Sequence, residues 1–393
     1  MATDPEPHAA PETHQDSPAP VIRFLAQQAS TADQLLLFAN GQRIAAALHV
    51  VAQLDIAALL ADGECDVETL ARATGCHASS LERVLRCTAL IGVFTESSPG
   101  RFSLTPAAEL LCSDRPDSLR PVVLLDNSVS LARSLTRLLS SVREGKPGFA
   151  QEYGASFTGP PQEGVPESVR TARSLHAQVT TALSRGAAEQ CLAHHQELGA
   201  FGRVADLTPG DGLFLRELLH RRPEATGVFV GPADQVAVAR RPLGSPETSE
   251  RIEALAVDIL DPEDTGALPQ DCDAYLLRAV LHALSDEAAG AVLRRVREAI
   301  GERKARLLVL DHVVAAGDAW DPAKILDIDM LAVYGGRERN AAQWHRLLRA
   351  AGFAAVDHRC LGTGPTRPAH EQGPAASSSE EPAAWSLLVA HPD

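Results

Sequence analysis

Long apolar runs are missing from these 393 residues, and none approaches the length of a membrane-spanning helix. Positive charge is also in short supply, with 36 Lys and Arg against 51 Asp and Glu and a net charge of −15. That balance argues against a nucleic-acid partner and against docking on an anionic membrane. Cysteine is sparse and odd in number: seven, scattered at 65, 76, 87, 112, 191, 272 and 360, with no CxxC pair. A disulfide scaffold and a structural zinc site are therefore not expected, and a reduced, cytoplasmic protein without metal is. The opening stretch "MATDPEPHAAPETHQDSPAP" has no basic region followed by an apolar one, so no signal peptide is read there.

What is present suffices for several domains, since 45% of the residues are apolar. Residues 1–20, rich in Pro, Ala and His, are read as a disordered tail. Apolar residues then recur at three and four through "QLLLFANGQRIAAALHVVAQLDIAALLADG", which predicts packed helices. In residues 66–79, Asp66 is expected to cap one helix, Gly75 to end it, and Ser79 to cap the next. "GVFTESSPGRFSLT" reads as two short strands around a Pro-Gly turn. Helix, turn, helix and hairpin make a winged-helix pattern, assigned to residues 21–115. Residues 116–195 read as a helical connector. From 196 to 393 the period changes: "RVADLT", "TGVFVG", "RIEALAVDIL", "DAYLLRAVL" and "RLLVLDHVV" are short apolar runs separated by helical segments. Such alternation predicts a parallel α/β sheet with ligand sites at the strand C-termini. The end of the chain reads as strand, polar loop near 362–383, and strand.

The order of "GVFTE…GRFSLTPAAELL", "VADLTPGDGLFLRELLHRRPEATGVF", "DAYLLRAVLHALSDEAAGAVLRRVREAI" and "DIDMLAVYGGRERNAAQWHRLLRAAGF" resembles one family over about residues 30–360. It is that of the bacterial small-molecule O-methyltransferases that use S-adenosylmethionine (SAM). The resemblance implies an α/β fold: a C-terminal class I methyltransferase, Rossmann-like sheet domain behind a mainly helical N-terminal winged-helix dimerisation domain. It implies a homodimer, with Leu36, Leu37, Leu48, Val51 and Leu54 on the candidate interface, and a connector that lines the acceptor pocket.

Site residues follow position by position. The family's glycine loop matches Asp206, Leu207, Thr208, Pro209, Gly210, Asp211 and Gly212, so Asp206, Gly210 and Gly212 are the cofactor candidates there. Thr208 places a Cβ where the methionine part of SAM would lie, and Pro209 removes an N–H. The acid that usually binds the ribose hydroxyls is replaced by Gly231, with Asp234 three residues on. Asp258 matches the acid that contacts adenine, though it reads equally as a strand-end carboxylate. His282 matches the family's general base, a role suited to an imidazole. Ala283 and Leu284 stand where the family has Asp and Trp. Asp311 and Glu338 match acids near that base. His176 and Thr180 share a helix face and, with Met330 and Tyr334, are candidates for substrate binding. Ordinary helix surface and core packing are the competing readings of those four.

Three functions compete at this stage. The first is SAM-dependent methyl transfer to a hydroxyl of an aromatic or polyketide-like small molecule in secondary metabolism. The second is a non-methylating enzyme on the same scaffold, a cyclase, decarboxylase or hydroxylase with weak or no SAM binding. The third is a winged-helix DNA-binding regulator. Its recognition helix would offer only Arg83 and Arg86 as cations beside Glu82, and the net negative charge argues against it.

Overall fold

The computed structural model describes residues 21, 28–115, 117–159, 164–194, 201–239, 246–361 and 385–393. The tail at 1–20 and the loop near 362–383 lie outside them. The chain divides into two compact units, 1–128 and 129–393.

In the first unit, α1 (Thr31–Ala39) and α2 (Gly41–Gln53) are followed by α3 (Val67–Thr74) and α4 (Ala78–Leu90). Asp66 caps α3 by accepting the Thr69 N–H at 2.8 Å, and Gly75 ends that helix at φ +68°. Here glycine is needed, because a Cβ would strain that left-handed conformation. Ser79 does not cap α4; His77 precedes the helix and Ser79 lies within its first turn. The wing is a three-stranded sheet of β1 (Cys65–Asp66), β2 (Phe94–Ser98) and β3 (Arg101–Leu104), in the order β1-β3-β2. Phe94, Phe102, Leu70, Leu85 and Val51 close the core between this sheet and the helices. Arg86, a cation of the would-be recognition helix, pairs instead with Glu82 and Glu96.

Val51 is buried in that core, and Leu48 and Leu54 pack against it. An exposed apolar face lies on α1, where Leu35, Leu36 and Phe38 are 70%, 61% and 71% exposed. A nine-residue helix cannot bury all its sides on one small unit, so one apolar stripe is left over. No single described helix is long and apolar enough to cross a membrane.

The second unit holds a seven-stranded sheet. Its strands are β4 (Arg203–Asp206), β5 (Thr226–Gly231), β6 (Ile252–Ala256), β7 (Ala274–Arg278), β8 (Arg306–Asp311), β9 (Phe353–Cys360) and β10 (Ser386–Pro392). They lie in the order β6-β5-β4-β7-β8-β10-β9, with β4 to β8 parallel and β10 antiparallel to both its neighbours. The long helix α5 (Glu167–His194) precedes the sheet. Between the strands come α6 (Leu213–His220), α7 (Ala233–Ala239), α8 (Asp286–Ile300), α9 (Ala323–Asp329) and α10 (Ala341–Ala350). Both faces of the central strands are covered, which is why β7 reads AYLLR and is buried throughout. The strand order reverses beside β4, and that crevice outside the carboxyl ends is where such sheets bind ligands.

Candidate active site

β7 ends at Arg278, and Ala279 then adopts φ +51°, unusual for a residue with a Cβ. The chain turns there, with the Ala279 N–H donating to the Leu310 carbonyl at 2.9 Å, and a short 3-10 turn, Leu281–Ala283, follows. This turn presents His282 across the end of β8, whose last residue is Asp311. The His282 N–H donates to Asp311 Oδ2 at 3.2 Å, while His282 Nδ1 lies 3.4 Å from Asp311 Oδ1. Glu338 Oε1 sits 2.7 Å from the same Nδ1. All three side chains are buried, so the charges are little screened.

Burial alone would lower the pKa of His282, but the Asp311 charge and the Glu338 hydrogen bond outweigh it and raise the imidazole to about 9. Burial pushes Asp311 up to about 6 against the opposing pull of His282. With Nδ1–H directed at Glu338, Nε2 is the nitrogen left to exchange a proton with a ligand.

Glu338 owes its position to a glycine and an arginine. Gly336 passes so close to the His282 turn that a Cβ there would fall on the His282 carbonyl oxygen and on the backbone of Ala283 and Leu284. The Arg337 N–H donates to that carbonyl at 2.8 Å, and the Glu338 N–H donates to Asp327 Oδ1 at 2.7 Å. Arg339 is 1% exposed and donates to the carbonyls of Leu281 and Leu284 and to Asp286 Oδ1. Ala283 and Leu284 therefore lie in a turn held mainly through its backbone.

The glycine turn after β4 forms the second part of the site. Asp206, 1% exposed, accepts the Thr208 N–H at 3.0 Å; burial raises its pKa to about 6, with the Thr208 hydrogen bonds opposing. Thr208 is buried and its Oγ1 accepts the Arg278 N–H at 3.1 Å, so its side chain packs beneath the turn instead of filling the groove. Gly210 has φ +149° and nothing within 4 Å of a Cβ, so the groove stays open above it. Gly212, at φ +73°, starts α6, where Phe229 and Ala239 crowd close. Gly231 ends β5. Asp258 follows β6; its N–H donates to Asp264 Oδ2 at 2.7 Å and its Oδ1 accepts the Leu260 N–H at 2.9 Å. An open cradle at the ends of β4 and β5 with an acid beyond β6 fits a nucleoside cofactor.

A third group is aromatic. His176 on α5 meets the rings of Phe157 at 5.4 Å and Tyr334 at 5.8 Å, and Phe157 meets Tyr334 at 5.3 Å. Burial, together with the His282 charge, lowers His176 to about 4, so it is neutral near pH 7. Met330 is buried at the start of a π-helical turn, Met330–Tyr334, and Thr180 lies one turn beyond His176, half-buried. His282, His312 and Glu338 also offer donor atoms within 4.8 Å of one another, the spacing of a cation's ligands. The short Glu338–Nδ1 bond, however, suits a shared proton there.

Sequence reasoning missed Arg278, Arg339 and Gln235. Arginine is ordinarily solvated, so nothing in one sequence marks Arg339 as the clamp behind His282.

The O-methyltransferase domain pattern matches residues 135–354, and the O-methyltransferase dimerisation domain pattern matches residues 36–114. The chain belongs to the O-methyltransferase family. It is 34% identical to the 8-amino-8-demethylriboflavin N,N-dimethyltransferase of Streptomyces davaonensis, over 83% of this chain and 91% of that one. It is 30% identical to aclacinomycin 10-hydroxylase RdmB of Streptomyces purpurascens, over 85% of this chain and 90% of that one. The structure of CalO1, a methyltransferase in calicheamicin biosynthesis in its SAH-bound form, aligns with a TM-score of 0.72 at 30% identity. That alignment covers 92% of this chain and 98% of the other.

Proposed function

We propose that this chain methylates a hydroxyl of an aromatic, polyketide-like small molecule of secondary metabolism, with His282 as the general base. S-adenosylmethionine, when bound, supplies an electrophilic methyl group. Asp206, Gly210 and Gly212 would hold it at the turn, with Asp258 at the adenine side. The observation that carries the reading is the His282 imidazole held between two buried carboxylates.

Glu338 and Asp311 orient the ring and stabilise the imidazolium that forms when Nε2 takes the hydroxyl proton. A base raised to about 9 is well matched to a phenol, whose pKa is about 10. The proton transfer is then nearly thermoneutral. Phe157, Tyr334, Met330 and neutral His176 form an apolar wall suited to a planar acceptor. Thr180 borders it. The odd number and scattered spacing of the cysteines support action in the cytoplasm.

Incubation with methyl-labelled SAM and a panel of polycyclic phenols should label at least one phenol at oxygen. If no phenol is labelled and one is oxidised or decarboxylated, the non-methylating reading replaces this one; the hydroxylase relative and the Ala283–Leu284 pair favour that second reading.

The assembly we propose is a homodimer closed through α1. An exposed apolar face of this kind would be covered by the same face of a second copy about a twofold axis. The double change Leu36→Glu and Phe38→Glu should convert dimer to monomer in light scattering at micromolar concentration, and a dimer that survives it would move the interface elsewhere.

A further inference from the structure

In open parallel sheets that bind nucleosides, an acid at the end of the second strand accepts the ribose hydroxyls. Here that place is taken by Gly231, which has no side chain. The space is bordered from another direction. A Cβ at Gly231 would lie 3.4 Å from Gln235 Oε1 and 3.3 Å from the Phe229 ring. Gln235 therefore reaches back from α7 over the end of β5. Its Oε1 also accepts the Gly210 N–H at 2.8 Å, which brings the same amide onto the glycine turn after β4. One side chain thus spans both walls of the groove. Asp234, the carboxylate nearest in sequence, is exposed at the start of α7.

We propose that Gln235 is the ribose-binding residue of this chain, its amide standing in for the absent strand-end carboxylate. Oε1 stays on the Gly210 N–H and fixes the turn, while Nε2 donates to a ribose hydroxyl oxygen. The chemistry differs from that of an acid. A carboxylate can only accept, so it needs the hydroxyls as donors; the amide nitrogen needs only an oxygen lone pair. An amide also carries no charge, so this contact does not depend on pH across the neutral range. The proposal rests on SAM being the cofactor.

The test is calorimetric titration of the full chain with S-adenosylhomocysteine and with its 2′,3′-dideoxy analogue, which lacks both ribose hydroxyls. For Gln235→Ala, and for Gln235→Met, which keeps the length of the side chain, affinity for S-adenosylhomocysteine should fall about fivefold to tenfold, the worth of one hydrogen bond. Affinity for the dideoxy analogue should fall by a clearly smaller factor, the part that the Gly210 anchor alone contributes. Unchanged melting curves of the variants establish that the fold is intact. If both ligands lose affinity equally, Gln235 only shapes the turn and the proposal is wrong. If S-adenosylhomocysteine binds the variants as tightly or more tightly, the amide obstructs the groove and the proposal is equally wrong. Failure of the unmodified chain to bind S-adenosylhomocysteine would instead remove the cofactor reading, a separable outcome.

Discussion

Replacing His282 with alanine is expected to lower methyl transfer by a factor of about 10²–10⁴, the usual contribution of a positioned acid or base. Affinity for S-adenosylhomocysteine should hardly change, because the glycine turn and the His282 turn belong to different loops. Stability should respond in a pH-dependent way. In the native protein the imidazolium balances two buried carboxylates, Asp311 and Glu338. Without it Asp311 keeps the Glu338 charge beside it in a buried site, which favours the protonated form of Asp311. Asp311 already sits at about 6 because of burial. A group whose folded pKa is raised above its unfolded value binds protons more tightly when folded, so stability falls as pH rises. The melting temperature of the variant should therefore drop relative to the native protein as pH rises through about 6. Turnover within a few-fold of the unmodified enzyme would remove His282 from the mechanism.

Gly336→Ala should be nearly as damaging, although residue 336 has no side chain. Its Cβ would collide with the backbone of the His282–Leu284 turn, and backbone cannot rotate away as a flexible side chain can. The segment must shift outward, breaking the Arg337 N–H bond to the His282 carbonyl and carrying Glu338 away from Nδ1. Overpacking of this kind costs about 1–3 kcal/mol in stability, and a displacement near 1 Å at a catalytic group can cost about a hundredfold in rate. The expected result is a folded protein with a lowered melting temperature and activity reduced about a hundredfold. Near-native activity would mean that Glu338 does not need this placement.

The sheet was legible because its strands are short apolar runs between amphipathic helices, and Asp66 and Gly75 marked a helix start and stop through their own chemistry. His282, Asp311 and Glu338 come together because His282 lies in the turn after one strand, Asp311 ends the next and Glu338 follows a glycine segment, positions that topology brings to one end of the sheet. Other features depend on which way a side chain turns. Thr208 looked like an obstruction to the cofactor, yet its hydroxyl finds the Arg278 N–H below the turn. Val51 looked like interface and is core, while Leu36, also read as interface, lies on the exposed stripe of the preceding helix beside Leu35 and Phe38. Ser79 has the chemistry of a cap, but the helix begins two residues before its own side chain could serve. Gln235 was invisible, since nothing in its neighbours shows that it spans the gap left by Gly231.

The most direct test of the central claim is the pH dependence of kcat/KM for methyl transfer, measured for the unmodified enzyme and for Glu338→Gln. As a base His282 accepts a proton only when unprotonated, so the rate should rise with pH, pass half its plateau near the His282 pKa of about 9 and level off above it. Removing one of the two carboxylates weakens the hold on the imidazolium, so in Glu338→Gln the same rise should move to lower pH. A profile that falls with pH, or one that Glu338→Gln leaves in place, would contradict a base held between Asp311 and Glu338.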